Sequence, residues 1–451
     1  MTFAEHKRAG TLWEYLREHV SRTTEAGAVV GFLAVSAFFI ITTAMEIDAS
    51  GNIVFGSPQI LTARSVSSVV TNAASQGIIA VGITLLMIAG EFDLSVGSML
   101  GLGALVFIIA ADSGLGGLAQ MFLPQEAVQS LGLSYAGFPG IVAIAVALAA
   151  GALMGLINGL LLVVTRIPSF IVTLGTLYIY RAVMYNIIPG GTIARYLREP
   201  MMGQFHPLAI IGVAIGAVAV VAFFLRPAIK LNWRRLQESN RNDKLGPAIR
   251  LALMGVVLLA GVGIALSITT THIGDLNTIV EVPFFDILNG QLEFLEGNYL
   301  ASILWWFLIA AIFHIILNQT RFGNAIFATG GNPGAARAQG INVKRVKVTT
   351  FMISGTLAAV GGIMEVARFK VVEPLRGTGY ELDVIAAAVI GGTLLSGGYG
   401  SIIGAVLGVL LSGMLKTGLV LIGVNATWFR GVLGLIMIAA VIINTNIRRQ
   451  R

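Results

Sequence analysis

Long apolar stretches separated by short polar loops dominate this chain. A helix needs about 20 predominantly apolar residues to cross the hydrocarbon core of a bilayer. With that length as the criterion, the sequence predicts about twelve membrane spans. They lie near residues 26–45, 66–89, 95–111, 141–164, 168–188, 207–226, 250–270, 299–318, 348–366, 384–396, 401–416 and 428–446. The predicted fold class is therefore all-α, a polytopic transmembrane helix bundle.

One of these stretches predicts a broken helix. Residues 384–396 are too few to cross a bilayer alone, and Gly397-Gly398-Tyr399-Gly400 separates them from the next apolar stretch. Irregular backbone at membrane depth is tolerated only where protein or a water-filled cavity covers it. We therefore expect this region to face the helix bundle or a pathway through it.

The composition supports a membrane protein. The chain is 56% hydrophobic and 11% charged, whereas soluble domains carry about 25% charged residues. The net charge of +7 comes mostly from short loops between spans, so it reports orientation and not nucleic-acid binding. There is no cysteine, which excludes disulfides and thiol chemistry in the chain.

The distribution of Lys and Arg predicts cytoplasmic N- and C-termini, because cytoplasmic loops of membrane proteins carry an excess of these residues. One side of the predicted bundle carries 20 of the 29 Lys and Arg residues. The segments on that side are 1–25, the turn at 166, the loop 227–249 with its flanking Arg226 and Arg250, the loop 319–347, and the tail 447–451. The predicted transmembrane domain is therefore 26–446, between an N-terminal cytoplasmic segment and a short cytoplasmic tail.

The loop 319–347 predicts a docking surface for another protein. Asn332 is a suitable helix N-cap, Pro333 fits the first helical position, and Gly340 suits the position after the last turn. The residues between them predict about one and a half helical turns of mostly small side chains, which let a partner approach closely. The predicted contact residues are Asn332, Ala335, Ala336, Arg337 and Gly340. A solvated basic loop retained only for topology is the alternative.

Two further stretches supply candidate pathway residues. Glu91 and Asp93 precede the third predicted span, where Asp93 or Ser95 can cap the helix. In the fifth span, Ser and Thr residues recur at helical spacing and form a weakly polar stripe suited to hydroxyl groups. The predicted pathway residues are Asp93, Ser95, Phe170, Thr173 and Thr176. Helix capping, ion pairing and helix packing are the alternatives for these positions.

The basic residues within the predicted spans must place their charged groups away from lipid. Arg181 is expensive in hydrocarbon, so it should face the bundle, pair with another group, or extend to the interface. Lys416 and Arg430 lie near predicted span ends, from which we expect both side chains to reach the interface.

Motifs for catalysis are absent from the sequence. There is no phosphate-binding G-x-x-x-x-G-K-[ST] loop, no H-E-x-x-H and no G-x-S-x-G. The expectation is therefore a transport protein with no catalytic residues, no metal and no cofactor. Carboxylates in the predicted spans are scarce, which argues against an ion-coupled mechanism.

Several ordered motifs resemble the ribose/xylose-type permease family of bacterial ABC importers, over nearly all of residues 60–446. They are Glu91–Ser98, Pro168–Leu174, Arg321–Lys347, Glu381–Ala387, and Ile390–Thr393 followed by Gly400–Ser401. The resemblance implies a multi-pass permease of the bacterial inner membrane that imports a monosaccharide. It also implies three partners: a cytoplasmic ABC ATPase, a periplasmic sugar-binding protein and a second permease copy in a homodimer.

Two details follow from the resemblance. It implies that 319–347 is the cytoplasmic loop that couples the permease to the ATPase. Residues 205–300 add spans that ribose-type members lack, so the longer, xylose-type branch is favoured. Membrane lipids are the remaining expected partner, and nucleic acid is not one. An ion-coupled secondary transporter of a small polar solute, a scaffolding membrane subunit and a membrane enzyme are the competing interpretations.

Overall fold

The computed structural model describes residues 26–47, 53–188, 194–195, 201–205, 280–292 and 297–449, with isolated positions between 226 and 259. The predicted spans 207–226 and 250–270 lie almost entirely outside the described residues. The N-terminal segment 1–25 lies outside them as well.

α-Helices make up most of the described chain. They are α1 Ala26–Ala44, α2 Ala63–Ile88, α3 Val96–Gln120, α4 Gln125–Ser130, α5 Gly140–Thr165, α6 Ser169–Ile187, α7 Phe284–Asn289, α8 Ser302–Gln319, α9 Arg321–Gly331, α10 Pro333–Ala338, α11 Val343–Phe369, α12 Tyr380–Ile390, α13 Ile402–Leu421 and α14 Phe429–Arg449. The segments between helices contain three short antiparallel strand pairs among the described residues. They are β1 Met45–Ile47 with β2 Ile53–Phe55, β3 Ala194–Arg195 with β6 Val371–Val372, and β4 Met201–Phe205 with β5 Val280–Pro283.

Seven of the described helices are long and apolar enough to cross a membrane, namely α2, α3, α5, α6, α8, α11 and α13. Ala28–Ala44 and Phe429–Ala439 are shorter apolar helices. The predicted all-α fold is confirmed, while the number of spans and the location of the termini stay predictions. The predicted break is also present, because α12 has only 11 residues and Gly397 and Gly398 follow it with φ angles of 78° and 73°.

Helix α11 lies at the centre of the bundle, packed against α2, α3 and α5. Small residues permit this packing, as is usual between membrane helices. A Cβ on Gly355 of α11 would lie 2.2 Å from the carbonyl oxygen of Gly151 in α5. A Cβ on Gly362 would lie 2.1 Å from the carbonyl oxygen of Leu100 in α3. The glycines therefore set the distance between these helix backbones.

Three separate segments also meet through backbone contacts, at a place we call the glycine junction. It consists of Ile88–Gly90 after α2, Gly330–Gly331 at the end of α9, and Gly397–Gly398 in the turn between α12 and α13. The Gly398 N–H donates a hydrogen bond of 2.8 Å to the Ile88 carbonyl. A Cβ on Gly330 would lie only 1.8 Å from that same carbonyl oxygen. A side chain would not fit at Gly330, Gly397 or Gly398, where a Cβ would lie 1.8, 2.7 and 2.5 Å from backbone atoms of the neighbouring segments.

The junction generates a stability prediction that neighbouring glycines can test. Gly330→Ala forces a methyl group against backbone that cannot move aside, and overpacking of this kind costs about 1–3 kcal/mol or more. Gly331→Ala is the matched control, because its Cβ would lie 3.8 Å from the nearest atom, Gly398 Cα. In detergent, we expect Gly330→Ala to lower the melting temperature and Gly331→Ala to leave it unchanged. Equal melting temperatures for the two variants would contradict the packing described here.

Candidate functional site

Helix α10 has the local structure that its sequence predicts. The Asn332 side-chain oxygen accepts hydrogen bonds from the backbone N–H groups of Gly334 and Ala335, both at 3.0 Å. Pro333 occupies the start of the helix. Gly340 follows the helix with a φ of 80°, which glycine adopts at no steric cost. The capping predictions for Asn332, Pro333 and Gly340 are confirmed.

The predicted contact residues of α10 do not all face outward. Asn332, Ala335, Arg337 and Gly340 are exposed, but Ala336 is only 3% exposed. Ala336 lies on the face of α10 that is turned towards the protein, so it can affect a partner only through its neighbours. The docking role of the exposed residues stays a prediction.

The segment around α10 contacts the interior of the protein on both sides. Upstream, α9 ends in Gly330 and Gly331, which belong to the glycine junction. Downstream, Lys347 of α11 forms an ion pair with Glu91, whose side chain is 9% exposed. Residues 319–347 therefore touch the loop 89–95, which joins α2 to α3, at two separate places.

Side chains of α6 hold the loop 89–95 in place. The backbone N–H of Phe92 donates to Ser169 Oγ at 3.1 Å, and that of Leu94 donates to Thr173 Oγ1 at 3.1 Å. Such bonds matter because an unpaired backbone N–H away from water is costly. The polar stripe predicted for the span 168–188, which is α6, therefore supports the irregular backbone of the loop 89–95.

A buried hydrogen-bond network completes the support of this loop. Asp93 Oδ1 accepts from the Ser95 N–H at 2.9 Å and from Ser95 Oγ at 2.5 Å. Asn158 of α5 donates to Ser95 Oγ at 2.9 Å, and the Tyr180 hydroxyl donates to Asn158 Oδ1 at 3.2 Å. Ser95 occupies the N-cap position of α3 but makes no side-chain cap bond. Asp93 bonds to the cap residue itself.

The predicted pathway residues are mostly enclosed in this conformation. Asp93, Ser95, Thr173 and Thr176 are buried, with exposures of 0 to 3%, and only Phe170, at 52%, is exposed. Their role in a pathway stays a prediction, and the structure shows Asp93, Ser95 and Thr173 forming the hydrogen bonds that hold the loop 89–95. Asn158 and Tyr180 were not predicted to contribute to this site. A lone amide within the apolar α5 was the one available signal for Asn158.

A second polar cluster lies around the start of α12. Lys416 of α13 donates to Gln76 Oε1 at 3.3 Å and pairs with Asp383 Oδ2 at 3.7 Å. The Arg181 guanidinium donates to Thr378 Oγ1, and Arg430 donates to the Thr378 carbonyl at 3.3 Å. The expectation that Arg181 pairs is confirmed. The expectation that Lys416 extends to the interface is wrong, because buried acceptors on α2 and α12 hold it.

Buried carboxylates are also more numerous than the sequence analysis expected. Glu365 of α11 is 5% exposed and pairs with Arg376 at 3.6 Å, and Asp383 is 7% exposed. Among the residues that the structure describes, no group of three or more His, Asp or Glu side chains is placed to hold a metal ion.

Comparison with known proteins places this architecture in a family. A family model described as "Branched-chain amino acid transport system / permease component" matches residues 65–200 and 191–441. The xylose transport system permease protein of Escherichia coli (strain K12) is 33% identical over 396 residues, which cover 86% of this chain and 87% of that protein. The xylose transport system permease protein of Haemophilus influenzae is 30% identical over 86% of this chain and 91% of that protein.

The ribose import permease protein of Escherichia coli (strain K12) is 28% identical over 392 residues, covering 86% of this chain and 88% of that protein. No solved structure matches the chain. The family model spans most of the polytopic bundle, and the loop 89–95, α10 and the glycine junction all lie within the matched residues. The chain therefore belongs to the family of branched-chain amino acid transport system permease components.

Proposed function

We propose that the protein is the transmembrane permease subunit of an ABC importer that carries a monosaccharide, preferably xylose, across the bacterial inner membrane. The observation that carries this proposal is the likeness to the xylose permease, which extends over 86% of the chain. The ribose permease is less similar, at 28% identity. The family description names branched-chain amino acids, but the full-length relatives described above are named for sugars.

Three partners complete the proposed importer. A cytoplasmic ABC ATPase hydrolyses ATP and docks on the exposed face of α10, so the chain itself is not an enzyme. A periplasmic binding protein delivers the sugar to the outer loops, including 367–383. A second copy of the chain forms a homodimer with the first and encloses the pathway.

The contacts of α10 suggest how ATP binding moves the pathway. A shift of α10 displaces α9. Gly330 of α9 contacts the end of α2, and Gly330 and Gly331 both lie against Gly398 in the turn after α12. The Lys347–Glu91 pair carries the same shift to the loop 89–95. A partner changes such an equilibrium only by binding the two states with different affinity. The nucleotide-bound ATPase is expected to favour one arrangement of these segments.

The first experiment reconstitutes the complex from its parts. The permease is co-purified in mild detergent with its ATPase, and ATP hydrolysis is measured with a binding protein loaded with xylose, ribose or leucine. We expect a stable complex whose activity rises most with the xylose-loaded protein. Stimulation by leucine alone would overturn the sugar assignment. A permease that purifies alone and accumulates solute under an ion gradient would overturn the importer itself.

A charge reversal on α10 tests the docking surface. Arg337→Glu places a carboxylate where the proposed ATPase contact provides an acceptor for the guanidinium. We expect at least about a tenfold loss of sugar-stimulated ATP hydrolysis, which corresponds to about 1.4 kcal/mol of lost coupling, with normal insertion into the membrane. Arg166→Glu is the matched control, because Arg166 is also exposed but lies on the turn between α5 and α6. Unchanged coupling in Arg337→Glu would contradict the docking proposal.

The Lys347–Glu91 pair generates a separate prediction. Removing one member leaves the other charge largely buried and unpaired, which is more costly than removing both. We expect Lys347→Met and Glu91→Gln each to lower transport per ATP hydrolysed, and the double variant to recover part of that loss. Losses that simply add would show that the two side chains act independently.

A further inference from the structure

The polar cluster around Thr378 lies well inside the membrane-spanning part of the bundle. Arg181 is about 18 Å along α6 from Ser169 and about 9 Å from Ile187 at its other end. The segment from β6 to α12 descends to this depth, where Arg181 and Arg430 both bond to Thr378. Its depth is fixed by a second contact. Ser98 in the first turn of α3 donates to the Leu177 carbonyl at 2.9 Å, so this turn lies beside the middle of α6, and a Cβ on the adjacent Gly97 would lie 2.3 Å from the Gly377 carbonyl oxygen.

Part of this cluster is exposed on the surface of the single chain. Thr378 and Arg430 are exposed, and Tyr178, one turn before Arg181 on α6, is 66% exposed. An arginine exposed to lipid at this depth is strongly disfavoured, and charged groups within membrane segments face the protein interior or a water-filled cavity. The surface around Thr378 therefore borders water or the partner copy.

Several buried polar atoms of the cluster make no hydrogen bond to the part of the protein that the structure describes. Within the described residues, Nε and Nη2 of Arg181 are buried without a hydrogen-bond partner, and so is Oε2 of Glu381. The other Glu381 oxygen accepts from the Gly379 N–H at 3.1 Å. Buried polar groups are nearly always paired, so these atoms are suited to bind a polar ligand.

The free groups have complementary chemistry. A guanidinium offers donors in a planar fork, a carboxylate offers acceptors, and a threonine hydroxyl offers both. A monosaccharide presents adjacent neutral hydroxyls that donate and accept, with apolar C–H faces between them. The exposed ring of Tyr178 supplies an apolar surface beside the polar groups.

We propose that Arg181, Thr378, Glu381 and Arg430, with Tyr178 beside them, bind the hydroxyl groups of the transported monosaccharide in the outer half of the pathway. This inference rests on the proposed function, and it adds a named sugar site to it. The buried group of Lys416, Asp383 and Gln76 supports the site from behind by fixing the position of α12.

The natural absence of cysteine from the chain makes the site open to thiol labelling. Thr378→Cys is expected to react with a membrane-impermeant methanethiosulfonate, because its position borders water. Bound xylose lowers the rate by a factor of 1 + [xylose]/Kd, which is about tenfold at a concentration of ten times Kd. Ser130→Cys on α4 is the matched control, since Ser130 is exposed and outside the site, and it should react equally with and without xylose.

The same samples separate failure of the site from failure of the proposed function. Before labelling, ATP hydrolysis is measured with the ATPase and the xylose-loaded binding protein. A responsive complex in which Thr378→Cys is unreactive, or reacts at the same rate with xylose, overturns the site and leaves the importer intact. Protection by leucine and not by xylose overturns the sugar assignment of the site. Absence of any ATPase response overturns the proposed function, whatever the labelling result.

A second variant covers the case in which Thr378→Cys fails to fold. Arg430→Cys changes an exposed residue at the edge of the site, and the same protection by xylose is expected. Transport by Arg181→Gln adds a functional measure: the apparent KM for the sugar should rise at least about tenfold, the loss expected when about 1.4 kcal/mol of binding is removed. An unchanged KM in that variant would count against a direct contact with the sugar.

Discussion

Every backbone N–H and C=O group at membrane depth needs a partner, because the hydrocarbon supplies none. This constraint explains the positions of the polar side chains that contact the loop 89–95. The loop 89–95 interrupts the helical path between α2 and α3, and Ser169, Thr173 and the carboxylate of Asp93 accept its free N–H groups. In the turn after α12, the Gly398 N–H finds its partner in the Ile88 carbonyl at the end of α2.

The two breaks are therefore not independent features. The turn after α12 obtains a partner from the end of α2, and the loop 89–95 begins at that same end. Helix α9 closes over both, with glycine at each contact. The hydrogen bonding of this irregular backbone is thus satisfied only while the three segments remain together.

Features encoded by neighbouring residues could be predicted from the sequence. The cap at Asn332, the left-handed Gly340 and the short α12 before its glycines are local, and each was expected correctly. The polar stripe of α6 was recognised, but a hydroxyl on a membrane helix can face a cavity or another backbone, and the sequence does not distinguish these. Thr173 proved to bond to Leu94.

Partnerships between distant residues were beyond prediction. Asp383 and Lys416 come together with Gln76 only because α2, α12 and α13 pack side by side, and no spacing in the chain indicates that packing. The pairing of Asn158 with Tyr180 depends in the same way on the contact of α5 with α6. The prediction that Lys416 extends to the interface failed for the same reason. Its position near a span end does not reveal the buried acceptors Gln76 and Asp383.

The glycine junction also has a consequence for how a displacement of α9 reaches the end of α2. Side chains at a contact can change rotamer and absorb a small displacement, so a movement on one side arrives diminished on the other. Between Gly330 and Ile88 there is no side chain to give way. Because backbone meets backbone directly, a displacement of α9 is passed to the end of α2 without being absorbed by side-chain rearrangement.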